Sequence, residues 1–403
     1  MKKLEKCTIC DKKFKRILGL GYHPCADTFV KDRKVAINLK RHLLEVGFCE
    51  CNHLTSINKV SPFERYKKNN YSYTSNNSPV SLSHFNNMAK NMVKEFNITS
   101  KNSILEIGSN DGTFLKNIKD LSKANVLGID PSDYMCKIAS KKGIKTLNKF
   151  FNYQSSKLIE KKYGKFDFLY GANVFNHIDD PENFLKGCKL ITKPKGKIIL
   201  EVPDLDSLFK GIGFDTIYHE HRNYFSKISL LTIFKKVNLE IIRFEYIDYM
   251  SGSIRIFARN NKFKKLNIKF KDKRNHFKIF LNFEKKVKIV KSNIINFVNE
   301  IKKNNKIVVG LGAATKGNTL LNFCKFNEQH IKCILESSPY KIGKFAPGSG
   351  IPIVDEKKFK NYHAILILPW NITNHLHKKF LQNTKIPYTS IAKIASKINK
   401  VKK

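Results

Sequence analysis

The sequence predicts an α/β protein in three zones, and three observations lead to that class. Four short apolar runs, Ser103–Ile107, Asn125–Ile129, Phe166–Tyr170 and Lys197–Val202, follow one another, the first three separated by amphipathic segments. That alternation is how an open sheet with parallel strands reads. A second set of runs, Ile307–Leu311, Ile331–Leu335 and Ala364–Leu368, starts the pattern again near the C-terminus. Ahead of both, residues 1–80 hold five of the nine cysteines and few periodic segments, as expected of a small module held by something other than a core. The expected domains are therefore 1–80, 81–260 and 261–403.

The remaining elements follow from local pattern. Met250–Ala258 reads as a late strand of the first sheet. Between Asn260 and Lys306 the chain is rich in lysine, and Phe277, Phe280, Phe283, Val287, Val290 and Ile294 recur at helical spacing, which predicts a long amphipathic helix with a solvated lysine face. Lys393–Lys403 reads as a frayed helical end.

Composition removes several function classes. With 75 Lys plus Arg against 33 Asp plus Glu, the formal net charge of the 403 residues is +42, and the isoelectric point is near 9.8. Such a charge raises a nucleic-acid partner first. Yet only nine of the 75 basic residues are Arg, and lysine is spread over nearly every segment, unlike a local Arg-rich binding patch. The hydrophobic fraction of 41% and 30 Phe exclude a disordered chain. No apolar run approaches the ~20 residues of a membrane span. The N-terminus has no apolar stretch of the signal-peptide kind, and an odd cysteine count fits a reducing compartment, so a cytoplasmic protein is expected.

Cys7 and Cys10 form a CxxC pair, and Cys49 and Cys51 a CxC pair. Two thiol pairs from separate loops offer four thiolates at tetrahedral reach, which suits a structural Zn²⁺ with no open position for catalysis. The tight CxC spacing leaves Cys25 or His53 as substitutes for one ligand.

The segment from Ser103 to Leu115, SILEIGSNDGTFL, is a strand, a glycine-rich turn and a helix start. It lacks the Lys-Ser/Thr of a phosphate-binding loop and does not match GxGxxG. Glu106 followed by Gly108, Asn110 and Gly112 is instead typical of S-adenosylmethionine sites in class I methyltransferases, whose Rossmann-like domain is the expected fold of the middle zone. Asp130 closes the next strand, where a carboxylate can accept both hydroxyls of a ribose. Asn173 and His177, after the third run, lie where contacts to cofactor or substrate are made at the carboxyl ends of strands.

Tyr218-His219-Glu220-His221 places two imidazoles, a carboxylate and a phenol within four positions, a dense set of proton-handling groups. The spacing is not HExxH, so metalloprotease chemistry is not supported.

With these residues in view, the chain resembles a known family, the zinc-containing, S-adenosylmethionine-dependent NDP-sugar C-methyltransferases. The resemblance runs through the paired cysteines, Tyr71-Ser-Tyr73, EIGSNDG, NVFNH, IYHEHRNYFS, GSIR at Gly252–Arg255, GLGAATKGNTLLN at Gly310–Asn322, PYKIGKFAPGSGIPI at Pro339–Ile353 and LPWN at Leu368–Asn371. It implies methylation of a carbon next to the 4-keto group of a nucleotide-linked sugar, at C3. His221 would be the base, with Tyr218 and Glu220 beside it and His177 on the enolate oxygen. It further implies a C-terminal Rossmann-like lobe for the nucleotide-sugar. Tyr71, Tyr73, Tyr224, Arg255 and Lys316 are expected on the substrate, with Lys316 and Arg255 facing its diphosphate. Neither nucleic acid nor membrane is an expected partner. The chain departs from the family in its CxC pair, in Met250-Ser-Gly-Ser before Arg255, and in Glu336 where an Asp is usual. A competing expectation, an RNA methyltransferase using the cysteine module and the lysines, finds no RNA-binding motif and no Arg cluster.

Overall fold

The computed structural model describes residues 2–66, 79–250, 252–260, 276–376, 378 and 385–400. In chain order, strands β1 (Lys15–His23), β2 (His42–Cys49) and β3 (His53–Ser56) precede the short helix α1 (Pro62–Tyr66). Helix α2 (Pro79–Phe96) leads into β4 (Ser103–Ile107), β5 (Asn125–Asp130), β6 (Thr146–Asn148), β7 (Phe166–Ala172) and β8 (Thr192–Pro203). Then come the three-residue β9 (Asn223–Phe225), β10 (Leu239–Ile247) and β11 (Ser253–Asn260). The last part runs α3 (His276–Lys303), β12 (Val308–Leu311), α4 (Thr315–Phe323), β13 (Ile334–Glu336), β14 (Ile353–Asp355), β15 (Ala364–Ile367), β16 (Tyr388–Thr389) and α5 (Ile391–Lys400).

The central sheet has the order β10-β11-β8-β7-β4-β5-β6. The strands from β8 to β6 are parallel, and β11 runs antiparallel between β8 and β10. From β4 the chain builds outward through β5 and β6, then returns to β7 on the other side. The strand order thus reverses between β4 and β7, and the crevice at their carboxyl ends is where such sheets bind ligands. Every strand predicted here forms, because parallel strands covered on both faces need unbroken apolar runs. The C-terminal sheet, β14-β13-β12-β15-β16, is entirely parallel and has its own reversal between β12 and β15.

The N-terminal zone differs from expectation. Its antiparallel sheet has the order β9-β3-β2-β1, so its edge strand comes from the segment that follows Tyr218-His219-Glu220-His221. It is also not poor in core. Leu18, Leu44, Val46, Phe48 and Leu54 belong to one apolar cluster with Phe280, Phe283, Val287, Val290 and Ile294 of α3 and with β12 and β15 residues. The rings of Phe48 and Phe280 lie 3.6 Å apart. The helical stripe predicted for α3 therefore serves as the shared wall between the N- and C-terminal sheets. Phe277 lies in α3, but its side chain is outside the described set. Helix α5 is likewise part of that core through Ile391, Ile394 and Ala395, where a frayed end was expected. Among the described residues, no helix is long and apolar enough to cross a membrane.

Candidate active site

One cavity of about 1010 Å³ opens at the carboxyl ends of the parallel strands of the central and C-terminal sheets. The glycine-rich turn after β4, the end of β5 and the turn after β7 line it from the central sheet. The turn after β12, the end of β13 and Pro369, Asn371 and Ile372 line it from the C-terminal sheet. Between them stand Tyr66, His177, Tyr218, Glu220 and His221.

The turn after β4 is shaped by left-handed backbone at Gly108 (φ +70°), Asn110 (+49°) and Gly112 (+74°), conformations that favour Gly and Asn. A side chain at Gly108 would also meet Val174 at 3.1 Å. Asp130 accepts the Asn110 amide on Oδ2 and the Ser132 amide on Oδ1, each at 2.9 Å. Those two bonds fix the carboxylate and leave lone pairs for two further donors. Burial, opposed by the two amides, lifts its pKa to about 6. Glu106 is buried with Oε2 unpartnered, and burial together with Asp111, Asp130 and Glu201 drives its pKa well above the carboxylate range. Asn173, in left-handed backbone at φ +53°, lines the cavity at the end of β7.

The four-residue cluster divides by direction. His219 turns away, its Nε2 lying 3.2 Å from the carbonyls of both His23 and His42, and it anchors the loop to the N-terminal sheet. Tyr218, Glu220 and His221 line the cavity. Nδ1 of His221 lies 2.9 Å from the Thr216 carbonyl, which can only accept, so Nδ1 carries the proton. Nε2 is then the free base and accepts the Tyr218 hydroxyl at 2.7 Å. Burial, His177 and Lys316 hold the His221 pKa well below the imidazole value. Glu220 accepts the Asp27 amide at 3.2 Å on Oε1, while Oε2 has no partner; burial raises its pKa to about 7. His177 stands edge-on to His221 with ring centroids 4.8 Å apart.

Lys316, in the first turn of α4, lines the cavity with its Nζ 5.0 Å from the Trp370 ring. Trp370 donates from Nε1 to Asp215 at 2.7 Å, two residues before Ile217 and the cluster. The C-terminal lobe thus brings Lys316 near enough to His221 to help depress its pKa. Its glycine turn repeats the central one. Gly312 takes φ +80°, where a side chain would strike Pro369 at 2.7 Å. Glu336 repeats Asp130, accepting the Ala313 amide at 2.7 Å and the Ser337 and Ser338 amides at 2.8 and 2.9 Å.

Two expected substrate contacts lie elsewhere. Arg255 is turned into the strands, donating to Glu201 at 2.8 Å and Glu245 at 3.1 Å, and it does not line the cavity. The same Glu201 binds His84 at 2.7 Å and Tyr170 at 3.1 Å, so Arg255 completes a buried network instead of facing a diphosphate. Tyr224 is buried behind the cluster, its hydroxyl on the His221 and Thr216 carbonyls at 3.3 and 3.4 Å. Tyr71 and Tyr73 lie outside the described residues. Tyr66, which no sequence pattern marked, is in the cavity with its hydroxyl 2.6 Å from His177 Nδ1.

The four predicted metal-ligating cysteines converge, with all four Sγ within 4.8 Å of one another. Cys7 and Cys51 are 3.7 Å apart and Cys10 and Cys49 3.3 Å, near the ~3.8 Å edge of a tetrahedron with Zn–S bonds of about 2.3 Å. A left-handed residue follows each pair, Asp11 at φ +60° and Asn52 at φ +56°, which turns the thiols inward despite the short CxC. Neither expected substitute replaces a ligand: His53 bonds Thr8 and Asn223, and Cys25 is not in the cluster. The chain thus carries a four-thiol site able to hold a metal.

Comparison with known proteins gives the class. A family model described as a methyltransferase domain matches residues 83–243, and one described as a C-methyltransferase C-terminal domain matches residues 250–386. Together with the relative described next, the two models mark the chain as an S-adenosylmethionine-dependent C-methyltransferase. Over almost its whole length it is similar to the C-methyltransferase NovU of Streptomyces niveus, 27% identical over 396 residues and covering 94% of each chain. It is also 29% identical over 146 residues to the uncharacterized protein MJ1123 of Methanocaldococcus jannaschii, covering 34% of this chain and 65% of that one. Among solved structures, an S-adenosylmethionine-dependent methyltransferase from Clostridium acetobutylicum matches 45% of this chain and 93% of its own at 16% identity, with a TM-score of 0.38.

Proposed function

We propose that the chain methylates the carbon next to the 4-keto group of a nucleotide-linked sugar, at C3. The observation that carries this reading is the single cavity onto which both glycine-rich turns and the Tyr218–His221 pair open. Asp130 and Glu106 would hold the cofactor, with Gly108, Asn110, Gly112 and Asn173 shaping its bed. Asp130 suits two vicinal hydroxyls, and a cation arriving beside Glu106 offsets the burial that raises its pKa. S-adenosylmethionine supplies that cation and an electrophilic methyl group. The second turn, with Gly312 and Glu336, supports a place for the nucleotide, and Lys316 for an anionic part of the substrate. The four cysteines would hold a structural zinc.

In this reading His221 takes the proton from the carbon next to the ketone. Its Nε2 acts directly once Tyr218 swings off it, or Tyr218 passes its own proton to Nε2 as it takes the substrate's. His177 donates to the oxygen on which charge develops. Incubation with S-adenosylmethionine and a dTDP-4-keto-6-deoxyhexose should replace one hydrogen of the sugar by methyl in the product mass spectrum. An unchanged sugar across a panel of keto-sugar nucleotides would reject the reading.

Two further results are expected. Asp130→Ala should weaken S-adenosylmethionine binding by about 10- to 100-fold in calorimetry, since an acceptor for two hydroxyls is worth roughly 1.5–3 kcal/mol. The second concerns pH. Because the His221 pKa is depressed, its base form persists as pH falls below 6.5, and rate is lost only on passing through the lowered value. Glu220 titrates near 7 beside it, so the clean measurement is kcat/KM against pH in Glu220→Gln. An acid limb well below pH 6.5 is expected there.

A further inference from the structure

Each imidazole in the cavity has its own tyrosine hydroxyl. Tyr218 bonds His221 on Nε2 at 2.7 Å, and Tyr66 bonds His177 on Nδ1 at 2.6 Å. The two rings then stand at 82° with centroids 4.8 Å apart. The bonding differs in one respect that matters chemically: the phenols meet opposite nitrogens. On His221 the Thr216 carbonyl fixes the proton on Nδ1, so Nε2 is basic. On His177 the phenol meets Nδ1 itself. The Tyr66 hydroxyl has two acceptors in reach, His177 Nδ1 at 2.6 Å and the Glu220 carbonyl at 3.4 Å, and Nδ1 is the nearer. A neutral imidazole carries one proton, so a hydroxyl that donates to Nδ1 places that proton on Nε2. Neutrality is enforced there, since burial and Arg65 push the His177 pKa down to about 3. Tyr66 is itself half-buried and held in place, with the Arg65 guanidinium over its ring at 5.3 Å and tied to Asp179 at 2.8 Å.

We propose that Tyr66 is a positioning residue that fixes His177 as its Nε2–H tautomer, so that one imidazole of the cavity donates a hydrogen bond while the other accepts a proton. The proposal rests on the function proposed above. Removing a proton next to a ketone needs a base at carbon and a donor at oxygen together. Two neutral imidazoles of opposite tautomer supply both within one cavity. No proton is consumed: the one that His221 takes is released to solvent after the methyl group has replaced it on carbon.

The test is a double-mutant cycle with Tyr66→Phe and His177→Gln. A glutamine amide always presents N–H, so it needs no tautomer fixed for it. The first readout is deuterium uptake from D2O at the acidic carbon of a keto-sugar nucleotide without S-adenosylmethionine, which reports proton removal alone. Tyr66→Phe should slow this exchange by about 10- to 100-fold with little change in KM, and should cause no further loss in the His177→Gln background. An equal loss in both backgrounds, or none in either, overturns the proposal. The second readout is ¹⁵N NMR of the imidazoles in the free protein. The wild type should show His177 with Nδ1 unprotonated, and Tyr66→Phe should shift that signal towards the other tautomer. A wild-type His177 protonated on Nδ1 overturns the proposal whatever the substrate. If the wild type shows the expected tautomer but neither exchanges nor methylates any keto-sugar nucleotide, the functional reading fails and the tautomer assignment stands.

Discussion

His221→Ala is expected to lower methyl transfer by about 10³-fold while leaving S-adenosylmethionine affinity within twofold of the wild type. The rate effect follows from geometry. Among the described residues, His221 is the cavity imidazole whose basic nitrogen is defined by a backbone carbonyl on the opposite side of its ring. Glu220 is the nearest alternative base, but Oε1 already holds the Asp27 amide and its pKa near 7 leaves much of it protonated at neutral pH. Binding should survive because the proposed cofactor contacts belong to the central sheet, whose cluster of Leu105, Ile107, Ile129 and Leu200 does not depend on that ring. The measurement pairs a methyl-transfer assay with calorimetry. Normal turnover would show that another group takes the proton, and joint loss of binding and turnover would show a structural role.

Cys49→Ser is expected to abolish zinc binding, unfold the N-terminal sheet and remove activity, although Cys49 does not line the cavity. A structural tetrathiolate site contributes on the order of 10 kcal/mol of apparent folding free energy, comparable with the whole stability of a domain. The consequence travels along the backbone. Cys51 is followed two residues later by His53, the first residue of β3, and β3 pairs with β9 through His53–Phe225, Leu54–Tyr224 and Thr55–Asn223. Asn223 also bonds His53 at 3.1 Å, and the Ser226 hydroxyl bonds the Asn52 carbonyl at 2.7 Å. The strand so held begins two residues after His221. Metal analysis should fall from one zinc per chain to none, with thermal unfolding moved to lower temperature. A variant with full metal content and an unchanged midpoint would contradict the site.

Where local chemistry suffices, sequence and structure agree. The predicted strands form because an apolar run flanked by turn residues has few other uses in a chain of this length. The turn after β4 was legible because left-handed backbone calls for Gly or Asn at Gly108, Asn110 and Gly112. The thiol pairs were legible because few arrangements bring four cysteines together. Arg255 shows the opposite case. A cation near a motif resembles a phosphate contact in sequence, but its partners Glu201 and Glu245 lie on neighbouring strands, a pairing set by register. Tyr66 gave no signal at all: one aromatic in a polar stretch is unremarkable until folding carries it to a histidine 111 residues away.

The sequence by itself determined the class of sheet, the glycine-rich turn after β4, the cysteine site and the Tyr218–His221 segment. Each of these is encoded over a dozen residues or fewer, through backbone preference and the spacing of apolar or ligating groups. The tertiary structure decided which histidines share the cavity and which one anchors the loop. It also decided that Arg255 bonds neighbouring strands, and that the cysteine module holds the segment after His221 through β9. Those outcomes depend on hydrogen bonds between groups far apart in the chain, and only the packing of the sheets against one another brings such groups within reach.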